Sequence, residues 1–364
     1  MEYVQERVAT LHDFGDAAPN APTDRAAVVV PMTEREYGGW ATERTLSELE
    51  TADPARVVVP LECSAARAAE FRGWLSGFDV PLEVLWCSGE GVESLLAERG
   101  LDGEAGKGRD VWLALGLAAA EYPLVVCHDA DVRTYDAGHV ARLLAPVEWG
   151  YDFVKGYYAR VENQRLYGRL FRLLYAPLVR ALQDAHRAPI LDYLASFRYA
   201  LAGEFAATAD LVSGLRVERR FGLEVGTLGH AFDAAGVEGT AQVDLGRYEH
   251  DHRAVTGPAG LADMSEDVVA ALLRVVEDRG VEPDYDRLPD AYRAAATALC
   301  RGYEADARFN ALSFDPAEER AQIDRYADAV HPPGADDRLP AWDDVDLDPA
   351  AVREAARADL DAVA

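Results

Sequence analysis

Short apolar stretches alternate with segments of helical spacing along the N-terminal part of the chain. The apolar stretches lack polar alternation, which is typical of strands buried on both faces of a parallel sheet. This alternation predicts an α/β fold, with a Rossmann-like, mostly parallel sheet flanked by helices. The predicted strands are residues 25–31, 56–61, 81–87, 124–127, 151–158 and 239–243, and the predicted helices are 38–50, 65–75, 107–120, 138–146 and 163–185.

The two ends of the chain have a different pattern. Residues 1–24 are predicted to be a lead-in with a short helix and a loop rich in Pro, Ala and Asp. The glycine-rich stretch before residue 107 is predicted to be a loop. Residues 256–364 are predicted to form a helical extension, with amphipathic helices 266–278 and 288–305 and an acidic, Pro-containing tail. We expect this extension to serve as a scaffold or an oligomer contact.

The strand 124–127 ends abruptly in the sequence His128-Asp-Ala-Asp131. Ligands of open α/β sheets bind at the carboxyl ends of the strands, which is where this Asp-x-Asp lies. Two carboxylates at that position can hold a divalent cation, and the cation can then bind a diphosphate. A plain turn is the alternative, because Asp is common in loops.

The chain contains two lysines, Lys107 and Lys155, among 36 basic residues. An ammonium retained in a chain that otherwise uses Arg suggests a site that requires a compact charge. Lys107 lies in Gly106-Lys-Gly108 at a predicted helix start, where a phosphate could bind. The spacing is not that of a P-loop, and a glycine turn with an exposed lysine is the alternative.

Other polar residues lie in apolar or unusual surroundings. Glu204 and Glu224 each interrupt an apolar or glycine-rich stretch, so each is either hydrogen-bonded or placed for chemistry. His250 follows the strand 239–243 and could complete an Asp/Asp/His metal site. Helical spacing of Arg165, Arg169 and Arg172 predicts a basic face for a small anion, unless these residues pair with surface acids.

The composition of the chain limits the classes of function and the kinds of partner that are expected. The formal net charge is −28, which argues against nucleic acid as the partner and is typical of a protein that works in high intracellular salt. The four cysteines are widely spaced and form no CxxC pair. The charged N-terminus and the lack of long apolar runs predict a soluble, cytoplasmic protein without membrane attachment.

Taken in order, the motifs resemble those of retaining, nucleotide-sugar-dependent glycosyltransferases of the GT-A fold. Among these, the chain is most similar to the glucosyl-3-phosphoglycerate synthases, followed by the mannosylglycerate synthases. The resemblance covers roughly residues 25–255 and rests on Val28-Val-Val-Pro31, Gly106-Lys-Gly108, Asp129-Ala-Asp131, Phe153-Val-Lys-Gly-Tyr-Tyr158, Gly168-Arg169, Leu201-Ala-Gly-Glu-Phe205, Gly222-Leu-Glu-Val-Gly226 and Gly246 to His250. It implies a catalytic domain at 25–255, with a nucleotide-binding half at 25–131 and an acceptor-binding half at 132–255.

The resemblance also implies roles for individual residues on the nucleotide side. Pro31 and Glu34 would contact the nucleotide, although the expected Asn-Glu-Glu is Thr33-Glu-Arg-Glu36 here. Lys107 would face the diphosphate, and Asp129 with Ala130 would approach the nucleotide sugar. Asp131 and His250 would hold a divalent cation, Mg²⁺ or Mn²⁺.

On the acceptor side, the resemblance implies that Glu224 lies beside the reacting sugar. Gly168 and Arg169 would hold the phosphate or carboxylate of the acceptor, with His252 nearby. Phe171 replaces an expected threonine, and His252 replaces an expected asparagine. Both departures fall on the acceptor side of the implied site.

The implied reaction is transfer of a hexose from a nucleotide-sugar to a small phosphorylated or carboxylated acceptor, 3-phosphoglycerate in the family it resembles. The resemblance to glucosyl-3-phosphoglycerate synthases implies glucose as the hexose, with UDP- or GDP-glucose as the donor. The implied protein is metal-dependent and is expected to be a homodimer. The alternatives are a mannosylglycerate-synthase-like enzyme with another acceptor, a nucleotidyltransferase and a non-catalytic GT-A-like protein. A nucleotidyltransferase would need a glycine-rich loop after the first strand, and Pro31-Met-Thr-Glu-Arg35 lacks it.

Overall fold

The computed structural model of the protein describes residues 5–251 and 258–363, with the backbone alone for 258–263. Its centre is a nine-stranded sheet in the order β1-β11-β7-β10-β6-β2-β4-β3, with β5 paired to β4. A separate two-stranded sheet consists of β8 and β9. The strands are β1 (Ala9–Leu11), β2 (Ala26–Val29), β3 (Met32–Thr33), β4 (Arg56–Glu62), β5 (Leu82–Trp86), β6 (Leu124–Cys127), β7 (Phe153–Ala159), β8 (Val161–Glu162), β9 (Arg165–Leu166), β10 (Phe205–Thr208) and β11 (Thr240–Arg247).

The large sheet is mostly parallel, as predicted. Within it, β10 alone runs antiparallel to both of its neighbours, β6 and β7. All four residues of β2 and all four of β6 are buried, because helices cover both faces of the sheet. The parallel register pairs Val29 with Cys127, so that the polar residues after β2 and β6 emerge at the same edge.

The helices flank this sheet, and the predicted mixed α/β fold is therefore confirmed. Strand β6 and helix α2 have the predicted bounds. The helices are α1 (Trp40–Ala52), α2 (Ala65–Leu75), α3 (Glu90–Glu98), α4 (Lys107–Glu121), α5 (Gly138–Glu148), α6 (Ala176–Ala185), α7 (Pro189–Leu194), α8 (Ala209–Ser213), α9 (Leu223–Ala234), α10 (Pro258–Glu277), α11 (Leu288–Phe309), α12 (Pro316–Ala327) and α13 (Pro349–Ala362).

Some predicted elements are wrong. In its described part, the lead-in has β1 before its loop, because pairing with β11 places Ala9–Leu11 at the sheet edge, and a short 3₁₀ helix, Thr23–Arg25, begins after the loop. The glycine-rich stretch before α4 contains α3, and the acidic tail contains α12 and α13. The predicted helix 163–185 begins later, because Asn163 and Gln164 adopt positive φ and form the turn between β8 and β9. A π-helical segment, Leu170–Tyr175, then leads into α6.

The C-terminal segment packs tightly on α3 and α4. The indole of Trp342 stacks on Trp112 of α4 at 4.7 Å, and its Nε1 donates to the Trp112 carbonyl at 2.8 Å. The carboxylate of Asp359 in α13 accepts from the backbone N–H groups of Gly91 and Val92 at the start of α3. In the described part of the chain, no helix combines the length and the apolar character needed to span a bilayer.

Candidate active site

The loops that follow β6 and β11 meet at the carboxyl edge of the sheet. Val132 forms an isolated antiparallel bridge with His250, and the N–H of Asp251 donates to the Asp131 carbonyl at 2.7 Å. This pairing aligns two loops that are far apart in sequence. It brings single ligand atoms of Asp129, Asp131 and His250 within 4.8 Å of one another. The predicted juxtaposition of Asp131 and His250 is therefore present, and Asp129 joins them.

These three side chains suit a divalent cation. Two carboxylate oxygens and one imidazole nitrogen are a donor set that Mn²⁺ and Mg²⁺ accept. Burial, together with the negative charges of Asp129 and Glu36, raises the pKa of Asp131 to about 7. A cation between the carboxylates would remove that repulsion, so the residues present fit the implied metal.

Lys107 lies beside this cluster at the first position of α4. Its Nζ donates to Oδ1 of Asp129 at 2.8 Å and lies 3.4 Å from Oε1 of Glu224. Burial raises the pKa of Asp129, but the ammonium of Lys107 outweighs burial and lowers that pKa to about 2. Burial likewise opposes the charge on Lys107, yet Asp129 and Glu224 hold its pKa well above the usual value. The ammonium is thus fixed between two carboxylates.

Close backbone contact fixes the position of Lys107. The N–H groups of Gly108 and Arg109 donate to the carbonyls of Arg220 and Arg219 at 3.2 and 2.9 Å. A β-carbon on Gly108 would lie 1.7 Å from the Glu218 carbonyl oxygen, so only glycine permits this approach. The Gly-Lys-Gly motif therefore anchors the start of α4 to the segment that leads into α9.

Glu224 reaches the site from the first turn of α9. Gly222 precedes this helix with φ of +99°, a left-handed conformation that favours glycine. The Glu224 side chain is 13% exposed, so it faces the cleft without being sealed in the core. The predicted catalytic glutamate and the predicted diphosphate lysine are thus in contact.

The remaining residues predicted for the nucleotide side lie around the ends of β2 and β6. Pro31 follows β2 at the carboxyl edge. The exposed carboxylate of Glu34 accepts from the Ser64 N–H at 2.7 Å, and hydrogen bonding to Ser64 lowers the pKa of Glu34. Ala130 is buried, and its carbonyl accepts from the Thr45 hydroxyl at 3.3 Å. Pro31 and Ala130 therefore border the acidic cluster, while Glu34 is held towards α2.

Two tyrosines, Tyr158 and Tyr199, lie between His250 and Gly168, one of the residues predicted to bind the acceptor. Gly168 has φ of +74°, and a β-carbon there would lie 3.0 Å from the Tyr199 hydroxyl oxygen. The Tyr199 ring contacts that of Tyr158 at 4.8 Å, and Tyr158 lies 6.2 Å from the His250 ring. Gly168 is thus connected through two tyrosines to His250, one of the three candidate metal ligands. His252 lies outside the described residues.

The predicted basic face of three arginines is not formed. Arg165 lies in β9, whereas Arg169 and Arg172 lie at the start of the π-helical segment. Arg169 forms ion pairs with Glu318 and Glu319 of α12 at 2.7 and 3.0 Å, and Arg172 pairs with Glu319 at 3.0 Å. The sequence reasoning missed these two glutamates, because they lie in the stretch predicted to be an acidic tail.

Two buried ionisable groups, Lys155 and Glu204, flank the site. The Nζ of Lys155 and both carboxylate oxygens of Glu204 have no hydrogen-bond partner among the described residues. Burial lowers the pKa of Lys155 to about 8 and, together with the charge of Asp129, raises the pKa of Glu204 to about 7. The scarcity of lysine in the chain and the apolar setting of Glu204 were the signals that singled out both residues in the sequence.

Known proteins of similar sequence and fold identify the family. The chain is 32% identical to the glucosyl-3-phosphoglycerate synthase of Methanococcoides burtonii, over 94% of this chain and 93% of the relative. It is 33% identical to that of Persephonella marina, over 83% of this chain and 79% of the relative. No protein-family model matches the chain.

The fold agrees with this relationship. A crystal structure of the glucosyl-3-phosphoglycerate synthase of Mycobacterium tuberculosis, in complex with Mn²⁺, UDP and phosphoglyceric acid, superposes with a TM-score of 0.56. That match has 25% identity and covers 76% of this chain and 88% of the other. With such identity along nearly its whole length and the same fold, the chain belongs to the glucosyl-3-phosphoglycerate synthase family of GT-A, metal-dependent glycosyltransferases.

Proposed function

We propose that the protein transfers glucose from UDP-glucose to a hydroxyl of 3-phosphoglycerate, with retention of anomeric configuration. The observation that carries this proposal is the convergence of Asp129, Asp131 and His250 next to the Lys107–Glu224 pair. The M. tuberculosis relative, which was crystallised with Mn²⁺, UDP and phosphoglyceric acid, supports the choice of substrates. The alternative donor is GDP-glucose, and the alternative acceptor is another carboxylated or phosphorylated small molecule.

In the proposed site, Asp131 and His250 would hold the divalent cation, with Asp129 close enough to take part. When bound, the cation supplies positive charge to the leaving diphosphate. Pro31, Glu34 and Ala130 would line the nucleotide, and Asp129 would approach the ribose. Each of these assignments concerns binding and orientation rather than bond making.

Lys107 and Glu224 would act on the reacting groups. The bond between the anomeric carbon and the diphosphate oxygen breaks, a bond from that carbon to the acceptor hydroxyl oxygen forms on the same face, and the hydroxyl proton passes to the departing diphosphate oxygen. Lys107 would turn from its two carboxylates to neutralise the leaving diphosphate. Glu224 would then orient the acceptor hydroxyl or stabilise positive charge at the anomeric carbon. A covalent glucosyl intermediate on Glu224 is not part of the proposal.

The acceptor would bind at Gly168 and Arg169, with His252 nearby. We further propose that the protein works in the cytoplasm at high salt and as a homodimer. The net charge of −28 supports the salt habitat, since a strongly acidic surface remains solvated there.

Nucleoside diphosphate release tests the proposal. UDP- or GDP-glucose is incubated with Mn²⁺ in high salt, with and without 3-phosphoglycerate. We expect release of UDP that depends on both the metal and 3-phosphoglycerate, and that is lost in Asp131→Ala. Asp343→Ala, which removes an exposed carboxylate from the C-terminal segment, is the matched control and should retain activity. Release of UDP with glycerate but not with 3-phosphoglycerate would identify glycerate as the acceptor. Failure of the protein to bind any sugar nucleotide would refute the proposal that it is a glycosyltransferase.

A further inference from the structure

The acid pair Glu318-Glu319 lies where the acceptor's anionic group is expected. Arg169 has five N–H donors, and two of its nitrogens face α12. Its Nε donates to Oε1 of Glu319 at 3.0 Å, and its Nη2 lies 2.7 Å from Oε1 of Glu318. Among the described residues, no hydrogen bond engages Nη1. The guanidinium is therefore partly occupied and partly open, and its side chain is 28% exposed.

The two glutamates differ in how firmly they are held. Glu319 is buried, and its second oxygen accepts from Nη1 of Arg172 at 3.0 Å. Arg172 is itself fixed by donation from Nε and Nη2 to the carbonyls of Tyr167 and Leu166. The side chain of Glu318, in contrast, is 46% exposed and has Arg169 as its recorded ion-pair partner. Glu319 is thus part of a rigid network, whereas Glu318 can move into solvent at little cost.

Charge makes this difference consequential. Arg169, Arg172, Glu318 and Glu319 together carry no net charge, which does not favour a dianionic phosphate. Removal of the Glu318 carboxylate leaves one net positive charge at the open side of Arg169. A carboxylate and a phosphate compete for the same guanidinium N–H groups, since the planar fork of arginine binds either anion through two of its oxygens.

We propose that the C-terminal helix α12 completes the acceptor site: Glu319 positions Arg169, and Glu318 occupies its anion-binding side until the phosphate of the acceptor displaces it. This inference rests on the proposed function, because it takes Gly168 and Arg169 as the acceptor site. It assigns a role in acceptor binding to the extension after residue 255, which the sequence alone indicated to be a scaffold or an oligomer contact. Glu319 is a positioning residue here, and Glu318 sets the affinity for the anion.

The test compares Glu318→Gln, Glu318→Asp and Glu319→Gln with Glu354→Gln, which removes an exposed carboxylate from α13. The KM for 3-phosphoglycerate, the KM for UDP-glucose and kcat are measured with Mn²⁺ present. The Kd of 3-phosphoglycerate is also measured by calorimetry without sugar nucleotide, so that binding is followed independently of transfer. Urea unfolding of each variant reports the fraction folded.

We expect Glu318→Gln to lower the KM and Kd for 3-phosphoglycerate about threefold to tenfold, because removal of one like charge near an exposed site has effects of this order. The KM for UDP-glucose and kcat should change by less than about twofold. Glu318→Asp, which keeps the charge, should resemble the parent, and Glu319→Gln should weaken 3-phosphoglycerate binding because Arg169 loses its anchor.

The opposite results overturn the inference. An unchanged or higher Kd in Glu318→Gln means that Glu318 does not compete with the acceptor. An equal decrease of this Kd in Glu318→Gln and Glu354→Gln would mean that the effect comes from the overall charge of the protein, and this result also refutes the inference. If the parent protein transfers glucose to 3-phosphoglycerate but Glu318→Gln binds it no better, the inference alone fails. If no variant transfers glucose but the Kd still falls in Glu318→Gln, the proposed function fails and the anion competition stands.

Discussion

Replacement of Gly108 by alanine tests whether the backbone contact at the start of α4 positions Lys107. The added β-carbon would lie 1.7 Å from the Glu218 carbonyl oxygen, whereas real β-carbon contacts stay above 3.0 Å. The two backbones must therefore separate by about 1.3 Å, the difference between these distances. That separation breaks or lengthens the hydrogen bonds from Gly108 and Arg109 to Arg220 and Arg219.

The cost follows from these contacts. Two weakened hydrogen bonds cost about 1 kcal/mol each, and overpacking costs about 1 to 3 kcal/mol. The better helix propensity of alanine returns about 1 kcal/mol. We expect the free energy of unfolding to fall by about 2 to 4 kcal/mol. Because Lys107 adjoins the displaced residue, glucose transfer should fall on the order of 100-fold in the folded protein.

Urea unfolding and initial rates of UDP release measure the two effects. Gly73→Ala is the matched control, because Gly73 lies in α2 and an added β-carbon there meets no atom within 4 Å. This control should be unchanged in activity and slightly more stable, by up to about 1 kcal/mol. A Gly108→Ala protein as stable and as active as Gly73→Ala would refute the reasoning.

Three further predictions concern charge and the C-terminal segment. Mn²⁺ should raise the melting temperature of the parent but not of Asp131→Ala, and its affinity should weaken below about pH 7, where protons compete for Asp131. Burial raises the folded-state pKa of Glu204 above its unfolded value, so the stability linked to this group is present at pH 4 and lost as the pH rises through about 7. Without metal, the decrease in the free energy of unfolding between about pH 4.5 and 8 should therefore be smaller by about 3 kcal/mol in Glu204→Gln than in the parent; an equal decrease in the two proteins would contradict the assignment. Asp359→Ala should lower the free energy of unfolding by about 1 kcal/mol through loss of the cap on α3, with unchanged KM values; a destabilisation no larger than in an exposed-surface variant would contradict this role.

The sequence predicted those parts of the fold whose signal is local. Continuous apolar runs indicated the central strands, and β6 was placed to the residue because Pro123 precedes it and His128 and Asp129 follow it. The turn at Asn163 and Gln164 was missed, since its positive φ values depend on the pairing of β8 with β9 rather than on helical periodicity. The helices α12 and α13 were read as a tail, because their acidic faces hide the apolar positions that pack inward.

The same distinction applies to the site. The Asp-x-Asp motif and the rarity of lysine directed attention to Asp129, Asp131 and Lys107 from the sequence alone. Their contact with residues more than 90 positions away, such as Glu224, results from the sheet order and could be expected only from the family resemblance. The pairing of Arg169 with α12 had no local signal, because ion pairs between distant surface residues leave no pattern in the sequence.

The stacking of Trp342 on Trp112 has a consequence for folding during translation. The two residues are 230 positions apart, so α4 leaves the ribosome long before the indole that covers it has been synthesised. Gly116, on the same helix, leaves space for that indole, since a β-carbon there would lie 1.9 Å from the Trp342 ring. During translation, α4 therefore exposes an apolar surface that a later segment of the same chain must cover. We expect a nascent chain released before Trp342 to be prone to aggregation, because this surface would remain open to other chains.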